Sequence, residues 1–281
     1  MIARMLPTLT TGLGVAAVCV LFVGFAQSAD AATKLRDPRD ISGMWAAYPF
    51  SFYFDSSRKP GEPQKVQLQP EYDAVYQARL AAKAKNEAAG KPQIDRLTLC
   101  LPMGMPISMG AFFGMEIVAT KKTVYVLSVG TDPMRRIFLD GRPIPPPDDL
   151  NPTYEGLSVG RWEGNTLVVD TAGLKTNTDV EDVPHSDAMR INERIRLLDD
   201  DTLKIVFTIT DPKAFKAPWV ITKQYKDYGT LPPGQRPGAV KTANDAEHKG
   251  PPLTSEEVVC NENNRNPTDA NGVVSLKLGT E

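Results

Sequence analysis

From residue 115 onward, apolar and polar residues alternate in a series of short runs, the pattern of strands buried on one face. Met115 to Thr120 and Thr123 to Val129 flank Lys121-Lys122 as one hairpin, and Arg135 to Leu139 follows. Leu157 to Trp162 and Thr166 to Thr171 make a second hairpin across Glu163-Gly164-Asn165. A third turns at Asp199-Asp200-Asp201 between the Met189 run and Thr202 to Thr210. Trp219 to Tyr225, Glu256 to Cys260 and the Gly43 segment bring the total to about ten strands. Turns this short predict an antiparallel meander, and closure into a barrel is expected because it removes exposed edges. Residues 69–89 read instead as one helix, stopped by Gly90-Lys91-Pro92, and the Pro- and Gly-rich stretch 229–252 reads as a mobile surface loop.

One position breaks the pattern in an informative way. In Ile191-Asn192-Glu193-Arg194-Ile195-Arg196-Leu197, alternation puts Glu193 on the same face as Ile191, Ile195 and Leu197. A carboxylate aimed into apolar surroundings needs a partner or a proton, since leaving it charged and alone costs several kcal/mol. Glu193 is expected either to pair with Arg135, Arg136 or Arg161, or to act as a proton donor, base or ligand anchor.

The remaining candidate chemistry is sparse. His185, in Val183-Pro184-His185-Ser186-Asp187, is the histidine nearest the Glu193 strand, and histidine is the side chain most easily tuned to move protons near neutral pH. It is read as a tentative catalytic partner of Glu193, a ligand contact or a loop cap. With a two-residue turn at Gly164-Asn165, Trp162 faces Leu167 and Arg161 faces Val168, which makes Arg161 and Asp170 diagonal neighbours able to form an ion pair. That pair is either a solvated surface bridge or part of a ligand site, for which Arg136, Trp162 and Phe207 are the further candidate contacts. The run from Met103 to Met115 could line a greasy cavity or fill the core. Asn261-Glu262-Asn263-Asn264-Arg265 could satisfy a strand end or rim a pocket.

Formal net charge is −2 with no long run of either sign, so nothing indicates nucleic acid as a partner. Neither a metal-binding spacing nor a nucleotide loop nor a nucleophile elbow is present, and no cofactor is expected. Arg4, the uncharged apolar stretch from Gly12 to Phe25 and Ala29-Asp30-Ala31 read as a secretory signal peptide over 1–31, too short to span a membrane. A single periplasmic or secreted domain over 32–281 is expected. Cys100 and Cys260 remain after cleavage in an oxidising compartment, where parity favours a disulfide between them.

The segments Val159-Gly160-Arg161-Trp162-Glu163-Gly164-Asn165-Thr166-Leu167-Val168-Val169-Asp170-Thr171, Pro184-His185-Ser186-Asp187-Ala188, Asp211-Pro212-Lys213-Ala214-Phe215 and Val259-Cys260-Asn261-Glu262-Asn263-Asn264-Arg265 resemble those of a family of exported, functionally uncharacterised proteobacterial proteins. The resemblance implies export and brings no activity with it. Where that family commonly has a second histidine near position 190, this chain has Arg190, and Met103 and Ile107 stand where Pro and Arg are common. Gly43-Met44-Trp45 is similar to the Gly-x-Trp signature of lipocalins, which implies a calycin-like barrel.

Three functions are consistent with these residues. The first is an exported β-barrel binding a small, largely apolar molecule through a few polar contacts. The second is a cofactor-independent isomerase, lyase or hydratase using Glu193 or His185 for proton transfer. The third is a structural or surface-interaction protein with a filled barrel.

Overall fold

The computed structural model describes residues 36–232, apart from 52, 60–61, 92–95, 97–100, 113 and 129–133. The expected strand Glu256 to Cys260, nearly all of the 229–252 loop, the polar cluster after Cys260 and both cysteines of the expected disulfide lie outside the described residues. Nine strands are described: β1 (Gly43–Ala47), β2 (Met115–Ala119), β3 (Thr123–Ser128), β4 (Arg135–Phe138), β5 (Leu157–Glu163), β6 (Thr166–Ala172), β7 (Arg190–Asp199), β8 (Thr202–Thr210) and β9 (Trp219–Asp227). Each pairs with the next, and β9 returns to β1, closing the barrel.

One seam departs from the antiparallel meander: β4 and β5 run parallel, with Ile137 beside Ser158 and Phe138 beside Val159. The connection explains it. Residues 139–156 contain five prolines, which cannot donate ladder hydrogen bonds, and the segment is long enough for the crossover that parallel strands require. It carries the chain back to the end of the barrel from which β4 started.

Alternation sets the interior. Ile191, Glu193 and Ile195 of β7, Leu203, Ile205, Phe207 and Ile209 of β8, and Trp219, Ile221, Lys223 and Tyr225 of β9 are all buried, while Arg194 and Arg196 between them are exposed. Trp45, Tyr225, Phe54, Phe207, Met105, Met109, Met115 and Met189 are among the largest fully buried side chains, so the interior is a packed core. The Met103 to Met115 run therefore fills space: Met105, Met109 and Met115 are sealed within the cluster.

The barrel ends differ. At the end with the short turns, the entering chain folds across: Arg39 Nε donates to the Gly164 carbonyl at 2.8 Å, with its guanidinium 5.9 Å from the Trp162 ring centre, and Trp45 Nε1 donates to the Ile41 carbonyl at 3.0 Å. The opposite end carries the long connections. A strap over residues 48–68 crosses it and buries Phe54 edge-on against Phe207, ring centres 5.0 Å apart. The strap leads into α1 (Pro70–Ala88), which opens with Pro70, carries Glu71 and Asp73 in its first turn and Lys85 in its last, all favourable for a helix. It is held at this end by Arg79 with Asp179 at 2.5 Å and Lys83 with Asp182 at 3.0 Å. No described helix is long and apolar enough to cross a membrane.

Gly156, at the entry to β5, has φ +64°, and a Cβ there would sit 2.6 Å from the Ala172 carbonyl oxygen. Gly156→Ala is expected to destabilise the protein by about 2 kcal/mol or more through strain and clash, measured by urea unfolding. A loss below roughly 0.5 kcal/mol would mean that the seam shifts freely.

Candidate functional site

Inside the barrel, Arg135 from β4 reaches across β5 and β6 to Glu193 on β7. Its Nη1 donates to Glu193 Oε1 at 3.0 Å and its Nη2 to Glu193 Oε2, a two-pronged contact. Nη2 also donates to Thr171 Oγ1 at 3.0 Å, Nε and Nη2 both contact Ser158 Oγ, and the two hydroxyls lie 2.9 Å apart. Arg135 and Glu193 are 2% and 0% exposed, so this is a desolvated ion pair whose remaining valences are filled by hydroxyls. Of the three arginines considered for Glu193, the partner is Arg135.

Arg136, its neighbour, points the other way and is exposed. It lies in a groove of about 330 Å³ along the parallel seam, lined by Met134, Arg136, Phe138, Thr153, Tyr154, Glu155 and Gly156. Among the described residues Arg136 has no carboxylate within ion-pair distance, although most of the other arginines do. The groove is flanked by further cations. Lys175 Nζ and the Arg96 guanidinium stand 4.5 and 5.3 Å from the Tyr154 ring centre. Desolvation pushes the Tyr154 hydroxyl up, but side-chain hydrogen bonds with Asn177 and Arg96 and the charges of Lys175 and Arg96 outweigh it, and the net shift is downward. Arg142 covers Phe138 at 3.8 Å but is neutralised by Asp140.

Glu155 connects the groove to the interior. Its Oε2 accepts the Ser108 hydroxyl at 2.8 Å, while Oε1 is buried without a hydrogen-bond partner among the described residues. Burial raises its pKa, opposed by the Ser108 hydrogen bond and the Arg135 charge and reinforced by the Glu193 charge. A buried acid whose pKa is raised, beside a groove, is the kind of group that can hold or deliver a proton.

The other sequence candidates fall elsewhere. Arg161 and Asp170 form their diagonal pair at 3.1 Å on the outer face, 59% and 42% exposed, within a ladder in which Glu163 binds Arg161 and Arg194 and Asn192 donates to Asp170 at 2.6 Å. Trp162 lies under Arg39 at the barrel's short-turn end, and Phe207 lies under Phe54. His185 is buried, with Nδ1 2.9 Å from the Ser186 carbonyl and Nε2 3.1 Å from Thr178 Oγ1, so both ring nitrogens are occupied. Its loop is locked by Ser186, whose N–H and hydroxyl both donate to Asp211, at 2.6 and 2.7 Å, while Lys213 and Ala214 N–H groups reach the same carboxylate. The structure thus brings Glu193 together with Arg135, and separates both from His185 and from the Arg161–Asp170 pair.

Two groups escaped the sequence reading. Glu155 sits in a loop without periodicity, where no sequence signal marks it. Lys223 did carry one: it shares the phase of Trp219, Ile221 and Tyr225, the same sign that exposed Glu193. Among the described residues no group of three or more His, Cys, Asp or Glu could hold a metal ion. Compared with protein-family models, curated proteins and solved structures, the chain matches none.

Proposed function

We propose that this is an exported barrel that binds a small, largely apolar molecule bearing one anionic group, and that the site is the seam groove. The observation that carries this reading is Arg136, a cation without a carboxylate partner among the described residues, in a concave site walled by Phe138, Tyr154 and Met134. About 330 Å³ is at the small end of ligand sites, and an apolar wall with few polar anchors is their usual make-up. A seam site is favoured over the lumen because the lumen is occupied by Trp45, Tyr225, Phe207 and the buried methionines. Export is supported by the leader-like first 31 residues.

Titration with 8-anilinonaphthalene-1-sulfonate, read by fluorescence, tests the anchor against N-phenyl-1-naphthylamine, which has the same rings and no sulfonate. Arg136→Ala is expected to weaken the sulfonate probe by roughly 10-fold or more, the worth of a charge-assisted hydrogen bond, and to leave the neutral probe nearly unchanged. Equal loss for both probes, or none for either, would discard the site.

A second reading rests on Glu155. A buried carboxyl with a raised pKa beside this groove could serve proton transfer in an isomerase, lyase or hydratase, a task for which Glu193 has both oxygens committed to Arg135 and His185 has both nitrogens engaged.

A further inference from the structure

The groove that holds Arg136 has unlike flanks. On the Tyr154 side it is cationic, with Lys175 Nζ and the Arg96 guanidinium 4.5 and 5.3 Å from that ring centre. On the other side, across β3 and β2, it is apolar. The register sets Tyr125 beside Arg136 and Val118 beside Tyr125. These three form one row on the outer face, two strand spacings or about 10 Å from end to end. Leu127 follows on the same face of β3, since Val126 between it and Tyr125 is buried. Met134 stands at the groove itself.

Val118, Leu127 and Met134 are 40%, 39% and 41% exposed. Of the nine large exposed hydrophobic side chains among the described residues, these three fall in one sector of the barrel, around the cation of the groove. Single exposed apolar residues are ordinary, whereas a contiguous set joined to a concave site marks a surface that a ligand covers. Glu116, opposite Leu127, is exposed on the same face, and its charge disfavours a second anionic group there. A folded partner is a poor fit, because a stable protein interface takes about 800 Å² from each side and this row is a few side chains long. One narrow, uncharged chain fits it.

We infer that the ligand of the seam groove is a single-chain anionic amphiphile, a fatty acid in kind, with its carboxylate on Arg136 and its alkyl chain laid over Tyr125 to Val118, with Leu127 alongside. The flanks fix the direction: reversed, the chain would meet Lys175 and Arg96, and the carboxylate would meet Glu116. This inference rests on the groove as the binding site and adds what that site selects, which is chain length.

The test titrates octanoate and dodecanoate, each below its micelle concentration, against the whole protein carrying N-phenyl-1-naphthylamine, with displacement read by fluorescence. The ratio of the two displacement constants within one protein cancels the probe's own affinity. A methylene is worth about 4-fold in affinity when fully buried and about 2-fold when one side faces water, so dodecanoate, with four more methylenes, should bind about 15-fold tighter than octanoate. Val118→Ser combined with Leu127→Ser, both at exposed positions that tolerate a polar side chain, should cut that ratio to about 4-fold or less. Val220→Ser removes a still more exposed valine from the outer face of β9 and should leave the ratio unchanged. Arg136→Ala should weaken both acids by a similar factor, roughly 10-fold, and keep the ratio. A wild-type ratio near unity, or one that survives Val118→Ser with Leu127→Ser, overturns the inference and leaves the groove standing. No displacement, or displacement indifferent to Arg136→Ala, discards the groove and this inference with it.

Discussion

Glu193→Ala is expected to lower the unfolding free energy by about 3–5 kcal/mol, the typical result of leaving one partner of a buried ion pair alone. Arg135 cannot shed its charge, and at 2% exposure it cannot reach water. Ser158 and Thr171 would still accept three of its contacts but carry no countercharge. In a barrel of this size such a loss lowers Tm by on the order of 10 °C. The pair is not thereby a net stabiliser. Replacing both residues, Arg135→Met with Glu193→Leu, removes the desolvation penalty together with the attraction, and the double variant should recover most of what Glu193→Ala loses. Urea unfolding of the two single variants and the double variant gives the coupling directly. A loss below about 1 kcal/mol for Glu193→Ala would mean that Arg135 finds another anion or reaches solvent, and the pair could then no longer be treated as sealed.

The same alternation that displayed Glu193 carried more than was taken from it. Arg135 and Arg136 are adjacent, so only one can face inward, and the phase of Ile137 selects Arg135. Lys223 was visible by the same argument. The hairpins and their register were legible because each rests on a local rule: the turn at Gly164-Asn165 sets Trp162 opposite Leu167 and Arg161 opposite Val168 as the two-residue count requires. The parallel seam was not legible, because it depends on where a proline-rich crossover delivers the chain. The groove and Glu155 inherit that difficulty: their position follows from the crossover rather than from any periodic run. The charged and polar residues of these segments divide by the work they do. Arg161, Glu163, Asp170, Asn192 and Arg194 tie neighbouring strands on the outside, and Ser186 and Asp211 lock two loops. A motif rich in charged residues can thus arise from sheet and loop architecture, and of the candidate contacts Arg161, Asp170 and Arg136 only Arg136 lines the groove.

Lys223→Met is expected to behave in the opposite sense to Glu193→Ala, and its sign depends on pH. The folded chain holds the amine at about 8, below its ordinary 10.5, so between these values the unfolded chain binds more protons and wild-type stability rises with pH. The penalty for burying the charged amine is present in full below pH 8 and is relieved as pH approaches 10.5, amounting to about 3 kcal/mol across the window. Methionine carries no charge and removes the slope. It also gives up the hydrogen bond to the Phe54 carbonyl, about 1 kcal/mol, so the net gain at pH 7 should be about 2 kcal/mol, shrinking and then reversing as pH rises. Urea unfolding of both proteins at pH 7 and pH 10 measures it, and parallel pH curves would show that Lys223 is charged in the fold at both values. A Lys223→Met protein that is more stable at pH 7 would locate in one side chain the cost that the barrel carries for burying an amine between Ile221 and Tyr225.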